Sequence, residues 1–332
     1  MLKRFSPLKR FSLRVLLVLI TLGSIALGVI VNRAERQRKA VAWINEHQGH
    51  VIYAHAPVGF PPKPEVLPAP QWMINTLGEH YFFRPESVTL RNLQGNEDLS
   101  PLNGLPTVHR VSLEHSSLTG KQSRQLSQVP SIHELNLYDS ELTDDALAEL
   151  NNAKNLRNLS VWYCRLSAKQ TQTIFELAQL KQIYFAACEL DLSQVGDGSR
   201  LNNLEMLYFA EGTIATRGDL GQLASLPKLQ EVMLSADWDS RTYAALQRQQ
   251  ALATVFIYHG ELSQAELESL AAIPNVRDMH LECLWTPEAT ERLNALAVPF
   301  NLTSRPPRRP PRQWDFDKRD WKASPANATN AP

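Results

Sequence analysis

The sequence repeats a short apolar pattern at intervals of about 24 residues between Val108 and Leu281. Each copy has apolar residues at its first, fourth and sixth positions, which we call offsets 0, 3 and 5. A fixed period of this length is typical of proteins in which each unit stacks on the one before it, because one unit cannot bury its apolar edge alone. The eight copies begin at Val108, Ile132, Leu156, Leu180, Leu204, Leu229, Leu252 and Val276.

The spacing within one copy predicts its fold. In the unit that begins at Leu156, Leu159 and Val161 alternate with residues that we expect to face solvent, as in a half-buried strand. Seven copies place a small or polar residue at offset 8, which indicates a corner after the strand. The sequence therefore predicts an α/β leucine-rich-repeat solenoid, with a parallel strand face on one side and short helices or turns on the other. The corner residues are Ser116, Ser140, Cys164, Cys188, Gly212, Asp237 and Gly260.

The second half of most units carries signals for a short helix. Four units combine an N-cap residue at offset 11 with Gln or Glu three residues later, which predicts capping boxes. Gly196 and Gly198 favour a loop in the return segment 190–203 instead. The predicted boxes are Thr119 with Gln122, Ser167 with Gln170, Asp191 with Gln194 and Ser263 with Glu266; Thr143 and Ser240 are further N-caps.

An uncharged and almost wholly apolar stretch covers residues 15–32. As a helix it would be about 27 Å long, close to the roughly 30 Å of a bilayer's hydrocarbon core. We interpret it as a transmembrane signal-anchor. A cleaved signal peptide is an alternative, although its apolar region is usually about 7–15 residues long, and a buried helix of a soluble protein is another.

Basic residues flank this stretch on both sides, five before it and four after it. Because basic residues favour the cytoplasmic side, this count together with the free N-terminus favours a single-pass cell-membrane protein whose repeats are extracytoplasmic. Val88 and Leu90 resemble a degenerate first strand. We expect Trp72, Leu77, Tyr81 and Phe82 to cover the open N-terminal end of the solenoid.

The predicted organisation follows from these patterns. Thr286, Pro287 and Glu288 predict the start of a closing helix that ends near Leu296. The segments are a basic N-terminal segment (1–14), the transmembrane helix (15–32), a juxtamembrane helix–strand element (33–56), a Pro-rich linker (57–71), an N-terminal capping region (72–104), a solenoid of about eight repeats of 24 residues (105–298) and a disordered Pro/Arg-rich tail (299–332).

The formal net charge of zero is unevenly distributed. Residues 1–14 contribute +5, residues 33–39 contribute +3 and residues 305–322 contribute +4, so the rest of the chain carries about −12. A repeat body this acidic argues against nucleic acid as a partner. The basic flanks favour contact with anionic lipid headgroups or an acidic wall polymer. We expect Cys164 and Cys188 to be reduced thiols that fill corners, although a disulfide between them is possible in an oxidising compartment.

Outward-facing side chains come from offsets 4 and 6 of each strand, and aromatic residues are frequent there. Such rings supply contact area at small entropic cost, so we interpret them as a site for a protein or peptide ligand. The alternative is that they pack against one another along the sheet. The candidate binding residues are Tyr138, Trp162, Tyr184, Tyr208, Met233, Phe256 and Tyr258.

Signals for catalysis are missing from the sequence. It contains no His-Glu-x-x-His, no Gly-x-Ser-x-Gly, no phosphate-binding glycine loop and no Cys-x-x-Cys. His109 and His133 share offset 1 in adjacent units, but paired exposed histidines are usually just solvated. We therefore expect no enzyme activity, no cofactor and no metal site.

Several segments together resemble a known family. Residues 11–14 (Phe-Ser-Leu-Arg) lead into the apolar stretch, and an Arg-rich segment, residues 32–40, follows it. Trp72, residues 77–78 and 81–83 and the repeat phrase at residues 142–147 complete the likeness. Over about residues 10–298 the chain is similar to the membrane-anchored leucine-rich-repeat proteins of planctomycete-type bacteria. The resemblance implies a non-catalytic binding or scaffold role. A structural envelope element that self-associates, as a homo-oligomer, or spaces the membrane from a wall layer is the alternative function.

Overall fold

The computed structural model describes residues 13–54, 69–210, 212–221, 223, 226–235, 238, 240–284, 301–304, 312–315 and 320–323. These residues form a leucine-rich-repeat solenoid with a long helix at its N-terminal end. One face is an eleven-stranded sheet. Its strands, in spatial order, are β1 (His50–Tyr53), β2 (Pro85–Arg91), β3 (Arg110–Glu114), β5 (Glu134–Tyr138), β7 (Asn158–Trp162), β9 (Gln182–Ala186), β11 (Met206–Ala210), β13 (Glu231–Ser235), β14 (Thr254–Glu261), β15 (Asp278–Leu284) and β16 (Asn301–Ser304).

The other elements lie at the corners and on the return side. The helices of the described residues are α1 (Leu13–Glu46), α2 (Gln71–Leu77), α3 (Gly120–Ser127), α4 (Asp144–Leu150), α5 (Ala168–Phe175), α6 (Ser240–Leu246) and α7 (Gln264–Ala271), and the short 3-10 helices there are Glu79–Tyr81 and Ser100–Gly104. The minor strands are β4 (Ser117–Leu118), β6 (Glu141–Leu142), β8 (Arg165–Leu166), β10 (Glu189–Asp191), β12 (Ile214–Arg217), β17 (Arg312–Asp315) and β18 (Asp320–Ala323).

The sheet is built in register from one coil to the next. All its neighbouring strands pair in parallel except β1, which pairs antiparallel with β2. Residues at equal offsets are therefore neighbours: Leu135 pairs with Leu159, and Leu159 pairs with Ile183. Every residue at offsets 0, 3 and 5 of the eight repeats is buried, and together they form one continuous core. The predicted spine is confirmed.

The corner after each strand depends on a backbone conformation that the sequence analysis did not identify. At offset 7 the chain turns through the left-handed region in five consecutive coils, at Asn92, His115, Asp139, Tyr163 and Ala187. This conformation costs a non-glycine residue about 1–2 kcal/mol. A hydrogen bond to the next coil offsets part of that cost: the N–H groups of the first four donate to the offset-6 carbonyl there, over 2.8–3.0 Å.

The offset-8 residues close the corner with side-chain hydrogen bonds. The Ser116 hydroxyl accepts from the Leu93 N–H and donates to the Glu114 carbonyl. The Cys164 and Cys188 thiols donate to the carbonyls of Trp162 and Ala186, respectively. Both cysteines are free and buried, as expected for corner residues. Burial raises the pKa of Cys164 to about 12, so its thiol stays protonated and unreactive.

The return helices begin largely where their caps predict. Capping boxes form at Thr119, Ser167 and Ser263, and Thr143 accepts from the Ala146 N–H. The box predicted at Asp191 and Gln194 is wrong. The Asp191 carboxylate instead accepts from the backbone and hydroxyl of Ser193 and closes a turn. Ser240 was predicted to precede α6, but it is the first residue of that helix.

Two central coils have no return helix among their described residues. The loop predicted over residues 190–203 is present, and Leu192, Val195 and Leu201 fill the core there instead of a helix. The described residues of the next coil also lack a helix, which the sequence analysis did not predict. Gly218 in that coil has φ +72°, and a Cβ there would lie 2.7–3.0 Å from the backbone of residues 192 and 193. The two coils approach too closely at this point for a return helix with side chains.

Residues 72–104 were predicted to form an N-terminal cap, but the second part of this region forms a complete coil of the solenoid. Val88 and Leu90 in β2 are buried, and β2 pairs in register with β3. Leu93, Leu99 and Leu102 fill the interior of the same coil. The solenoid therefore starts near residue 85. This repeat was not recognised in the sequence because Pro85 occupies offset 0, where the other repeats have Leu, Ile or Val.

The cap itself is different from the one predicted. Trp72, Leu77 and Tyr81, which we expected to cover the open end, are exposed. The second half of α1 covers it instead. Its side chains at helical spacing, Ala34, Gln37, Ala40, Val41 and Ile44, are buried against the first coil. Strand β1 then pairs with the edge of β2 and protects it.

The long helix α1 also joins two segments that the sequence analysis separated. A helix boundary was predicted near residue 33, yet α1 runs unbroken from the apolar stretch into the cap. Within the described residues it is the one helix long and apolar enough to cross a membrane, with a mean hydropathy of 2.5 over its most apolar 18 residues. None of those 18 residues is buried against the protein. The remainder of the predicted juxtamembrane element is β1.

The C-terminal part of the chain also differs from its prediction. In the segment expected to be disordered, β16 adds another parallel strand beside β15, and β17 and β18 form an antiparallel pair. Leu302 of β16 pairs with Met279, the offset-3 residue of β15. Backbone pairing with the edge strand β15 therefore orders β16, although this segment carries no full repeat. The predicted closing helix from residue 286, the basic segment up to residue 12 and most of the Pro-rich linker lie outside the described residues.

Candidate ligand-binding face

The outward side chains of the strands form two columns across the sheet. In the offset-4 column, Tyr184, Tyr208, Met233 and Phe256 are successive Cα partners. The offset-6 column pairs Tyr138 with Trp162 and then continues through smaller residues. Tyr258 belongs to this second column, where its partner is Ser235. The register therefore brings the candidate residues onto one face.

The rings form two groups of direct contacts. Tyr138 stacks on Trp162 with centroids 5.5 Å apart, Trp162 lies 4.8 Å from Tyr184, and Tyr184 meets Tyr208 edge-on at 5.8 Å. Phe256 stacks with Tyr258 at 6.2 Å and with His280 at 4.6 Å. Met233 lies between the two groups, since its Cα partners are Tyr208 and Phe256. His280 belongs to the face but was not among the predicted residues.

The candidate residues differ in how much of each side chain is exposed to solvent. Tyr138, Trp162, Tyr184, Met233, Phe256 and Tyr258 are half-buried, because each ring or thioether covers its neighbour and still presents an edge to solvent. Tyr208 is only 9% exposed, and its hydroxyl donates to the Glu231 carboxylate over 2.8 Å. The prediction of an exposed ring is therefore wrong for Tyr208, whose neighbours in the column cover it.

The offset-6 column contains a step that sequence reasoning missed. Between Trp162 and Tyr258 the column holds Ala186, Ala210 and Ser235, all buried. Four strand spacings of about 4.8 Å separate the two flanking rings, so the step is about 19 Å long. The offset-4 residues form its side wall. The signal for this step in the sequence was the order of side-chain sizes at offset 6: one large, three small and one large. This order is visible only when the strands are aligned by offset.

Carboxylates surround the rings. Glu114 and Glu134 pair with Arg91 and Arg110 over 2.6 and 2.7 Å. Burial raises the pKa of Tyr138, and the charges of Glu114 and Glu134 raise it further. Burial raises the pKa of Tyr184 to about 12. It also raises that of Tyr208, with a further contribution from the hydrogen bond to Glu231. The face thus presents neutral hydroxyls and rings beside carboxylates that are paired with arginines or bonded to a tyrosine hydroxyl.

These shifts make stability depend on alkaline pH. Tyrosines in the unfolded chain ionise at their ordinary pKa of 10.0, while Tyr184 keeps its proton to about 12. Between these values the unfolded state binds fewer protons, so we expect the free energy of unfolding to fall as pH rises through this window. Tyr184→Phe should show a shallower fall in urea unfolding series, with unchanged stability at pH 8. Equal slopes for the two proteins would contradict this assignment.

The histidines at offset 1 do not form a shared site. His109 Nε2 lies 3.4 Å from a carboxylate oxygen of Glu86, and His133 Nδ1 contacts the Ser131 carbonyl. In the part of the chain that the structure describes, no group of three or more His, Cys, Asp or Glu side chains could hold a metal ion. The face offers shape, rings and hydrogen-bonding groups.

No family model and no curated protein matches the sequence. Several solved structures match the chain. An internalin from Listeria monocytogenes matches with 15% identity and a TM-score of 0.39, over 62% of this chain and 69% of the internalin. TLR13, in a complex with ssRNA13, matches with 18% identity and a TM-score of 0.40, over 66% of this chain and 32% of TLR13. The plant peptide hormone receptor RGFR1, in complex with RGF2, matches with 12% identity and a TM-score of 0.32, over 65% of this chain and 43% of the receptor.

The geometry of the coils decides the class. The chain has the leucine-rich-repeat fold. Its in-register parallel strands, its 24-residue step and its single apolar spine are the defining features of that architecture. This chain spans about a third of the TLR13 structure and less than half of the RGFR1 structure.

Proposed function

We propose that this leucine-rich-repeat protein is a non-catalytic binding protein that holds a protein or peptide ligand on its strand face. The observation that carries the proposal is the contact between Trp162 and Tyr184, which are fixed by neighbouring rings and yet half-exposed beside the step. Rings held in place lose little entropy on binding, which favours them as anchors. The step bounded by Trp162 and Tyr258 has the length of a peptide of about six residues in extended conformation.

Charge supports this class of ligand over nucleic acid. Outside residues 1–14, 33–39 and 305–322 the chain carries a formal charge of about −12, so the repeat body is acidic overall. A polyanion would be repelled by this field, whereas a neutral or basic peptide would be attracted to it.

We further propose that α1 tethers the protein to the cell membrane in a single pass, with the repeats on the extracytoplasmic side. The length and hydropathy of its most apolar 18 residues, none of which is buried, support a membrane span. The basic residues before and after the apolar stretch give a small bias for the orientation. Protease accessibility of the repeats in intact cells tests the orientation, and protection from protease would contradict it.

Substitution of the central rings tests the binding proposal. We expect Trp162→Ala or Tyr184→Ala to weaken ligand binding about 30-fold or more, as for an interface anchor worth about 2 kcal/mol. The melting temperature should shift by only a few degrees. The measurement is capture of ligand from an envelope extract by the full-length, detergent-solubilised chain, followed by titration of the purified ligand.

Trp72→Ala is the matched control, because it removes an exposed Trp that lies outside the strand face. It should bind ligand like the unmodified chain. Retained binding by both ring variants, or a large loss of stability in them, would show that the rings only pack together. Concentration-dependent self-association through the same face, without a second protein, would favour a structural envelope element instead.

A further inference from the structure

Large apolar side chains are exposed in only two places among the residues whose exposure the structure describes. One is the apolar half of α1. The other is a small set outside it, Ile52, Trp72, Leu77 and Tyr81, with Trp72 exposed by 68%. The described part of the repeat body, from β3 onward, exposes none. The elements that carry this second set, which we call the patch, are neighbours: β1 and the 3-10 helix Glu79–Tyr81 contact α1, and α2 contacts that 3-10 helix. Exposed apolar side chains gathered in one region indicate a surface with a partner.

The patch lies against a defined part of α1. The 3-10 helix Glu79–Tyr81 packs beside that helix, and the Gln37 side chain donates to the Phe83 carbonyl over 2.9 Å. Burial lowers the pKa of His80, and the charges of Glu79, Arg38 and Glu35 also act on this ring. The 3-10 helix that carries Tyr81 is therefore beside residues 35–38, and α2, which carries Trp72 and Leu77, adjoins that 3-10 helix.

This position corresponds to a specific height above a membrane. The apolar stretch ends at residue 32, and residues 35–38 lie three to six positions farther along the same unbroken helix. At 1.5 Å per residue they are about 5–9 Å beyond the hydrocarbon core. The headgroup layer on each side of a bilayer is about 5–8 Å deep. The patch and the headgroup layer thus coincide.

The chemistry of the patch suits that layer. Trp and Tyr are enriched at membrane–water interfaces, where a ring can be apolar on one side and hydrogen-bonded on the other. The surface of α1 at the same height exposes Arg33, Arg36, Arg38 and Lys39. Basic groups there attract anionic headgroups. Rings and cations at one level are the two features expected of a surface that contacts lipid.

We propose that Trp72, Leu77 and Tyr81 insert into the interfacial layer of the bilayer that α1 crosses, and so hold the first coil of the solenoid against the membrane surface. This inference rests on the proposed membrane location. Since α1 both crosses the bilayer and caps the solenoid, the contact fixes the angle of the repeats to the membrane. The strand face is then presented in one orientation and does not swing on a flexible tether.

Depth-dependent fluorescence quenching tests the proposal on the full-length chain in phosphatidylcholine vesicles. Cys283→Ser serves as the background, because Cys164 and Cys188 are buried. Thr76→Cys places an NBD label on the exposed surface of α2, Ser24→Cys places one within the apolar stretch, and Gln264→Cys places one on α7, far from the patch. Lipids brominated at shallow and deep acyl positions are the quenchers.

We expect shallow quenching at position 76 to exceed that at position 264 by about twofold or more, as for an interfacial group. Trp72→Glu combined with Leu77→Glu should lower it to the level at position 264, while deep quenching at position 24 persists. Asn75→Glu is the matched control, because it adds a carboxylate to α2 without removing an apolar group, and it should keep the signal.

Each other outcome overturns the proposal. An unquenched label at position 76 with a quenched label at position 24 would leave the patch in water, although the proposed span would stand. Quenching at position 76 that survives the double substitution would show that these side chains do not hold the patch in the membrane. Absence of quenching at position 24 would refute the span and the patch together.

Discussion

Leu159→Asp is expected to leave the solenoid unfolded at 25 °C. Leu159 lies at offset 3 in β7, fully buried between Leu135 and Ile183 of the adjacent coils. A carboxylate at this position loses its hydration without gaining a partner, at a cost of several kcal/mol. A domain of this kind has about 5–15 kcal/mol of total stability, and each coil depends on both neighbours. Circular dichroism should show loss of the cooperative thermal transition.

Asn158→Asp is the matched control. Asn158 precedes Leu159 on the same strand, and its side chain is half-buried at offset 2 on the outer surface. We expect this variant to melt within a few degrees of the unmodified protein. A cooperative, near-normal transition for Leu159→Asp would mean that Leu159 does not line the spine, and the solenoid assignment would fail with it.

Ile44→Asp is expected to remove the N-terminal cap without unfolding the whole chain. Ile44 is fully buried where α1 covers the first coil, and its side chain lies close to Gly49, which also approaches the Thr89 carbonyl of β2. A Cβ at Gly104 would lie 2.8 Å from the carbonyl oxygen of Arg36, so α1 packs closely against the 3-10 helix Ser100–Gly104. Loss of the side chain and burial of a charge together cost roughly 4 kcal/mol or more.

Hydrogen exchange measures this effect coil by coil. Because coils interact only with their neighbours, protection should fall in β2 and β3 and persist in β7 and β9. Asn45→Asp is the control, since Asn45 is the exposed next residue of the same helix. Unchanged protection in β2 for Ile44→Asp would mean that α1 does not stabilise the first coil. The cap also limits where a shortened fragment can begin. A fragment that begins at residue 33 includes the cap, whereas a fragment that begins at residue 72 lacks it and exposes the core of the first coil.

Periodic contacts were predictable, and single contacts were not. Leu135, Leu159 and Ile183 are three instances of one rule, so the sequence states the same packing several times. The contact of Ile44 with the first coil occurs once, between segments that are far apart in the chain. Its helical spacing (Ala34, Gln37, Ala40, Val41, Ile44) is visible in the sequence, but the surface that it buries is not. Trp72 and Tyr81 were assigned to the cap for their apolarity alone, which does not say what they contact.

The candidate face shows the same division. Offsets 4 and 6 predicted which side chains point outward, and the register of the strands then brought Trp162 beside Tyr184. Exposure could not be predicted, because it depends on the neighbours in the column. Tyr208 lies between Tyr184 and Met233 in the column and donates a hydrogen bond to Glu231, whereas Tyr184 keeps an exposed edge. The small residues Ala186 and Ala210 form a step only because Trp162 stands at one end.

From the sequence alone came the repeat length, the strand and corner positions, most of the helix caps and the residue types on the outer face. Each of these is a local or periodic property, and physical chemistry fixes it within one coil or between adjacent coils. The tertiary structure alone decided how the ends are closed and which rings remain accessible. Those outcomes come from unique long-range contacts, such as α1 on the first coil, whose energy depends on a surface that exists only after the coils have stacked.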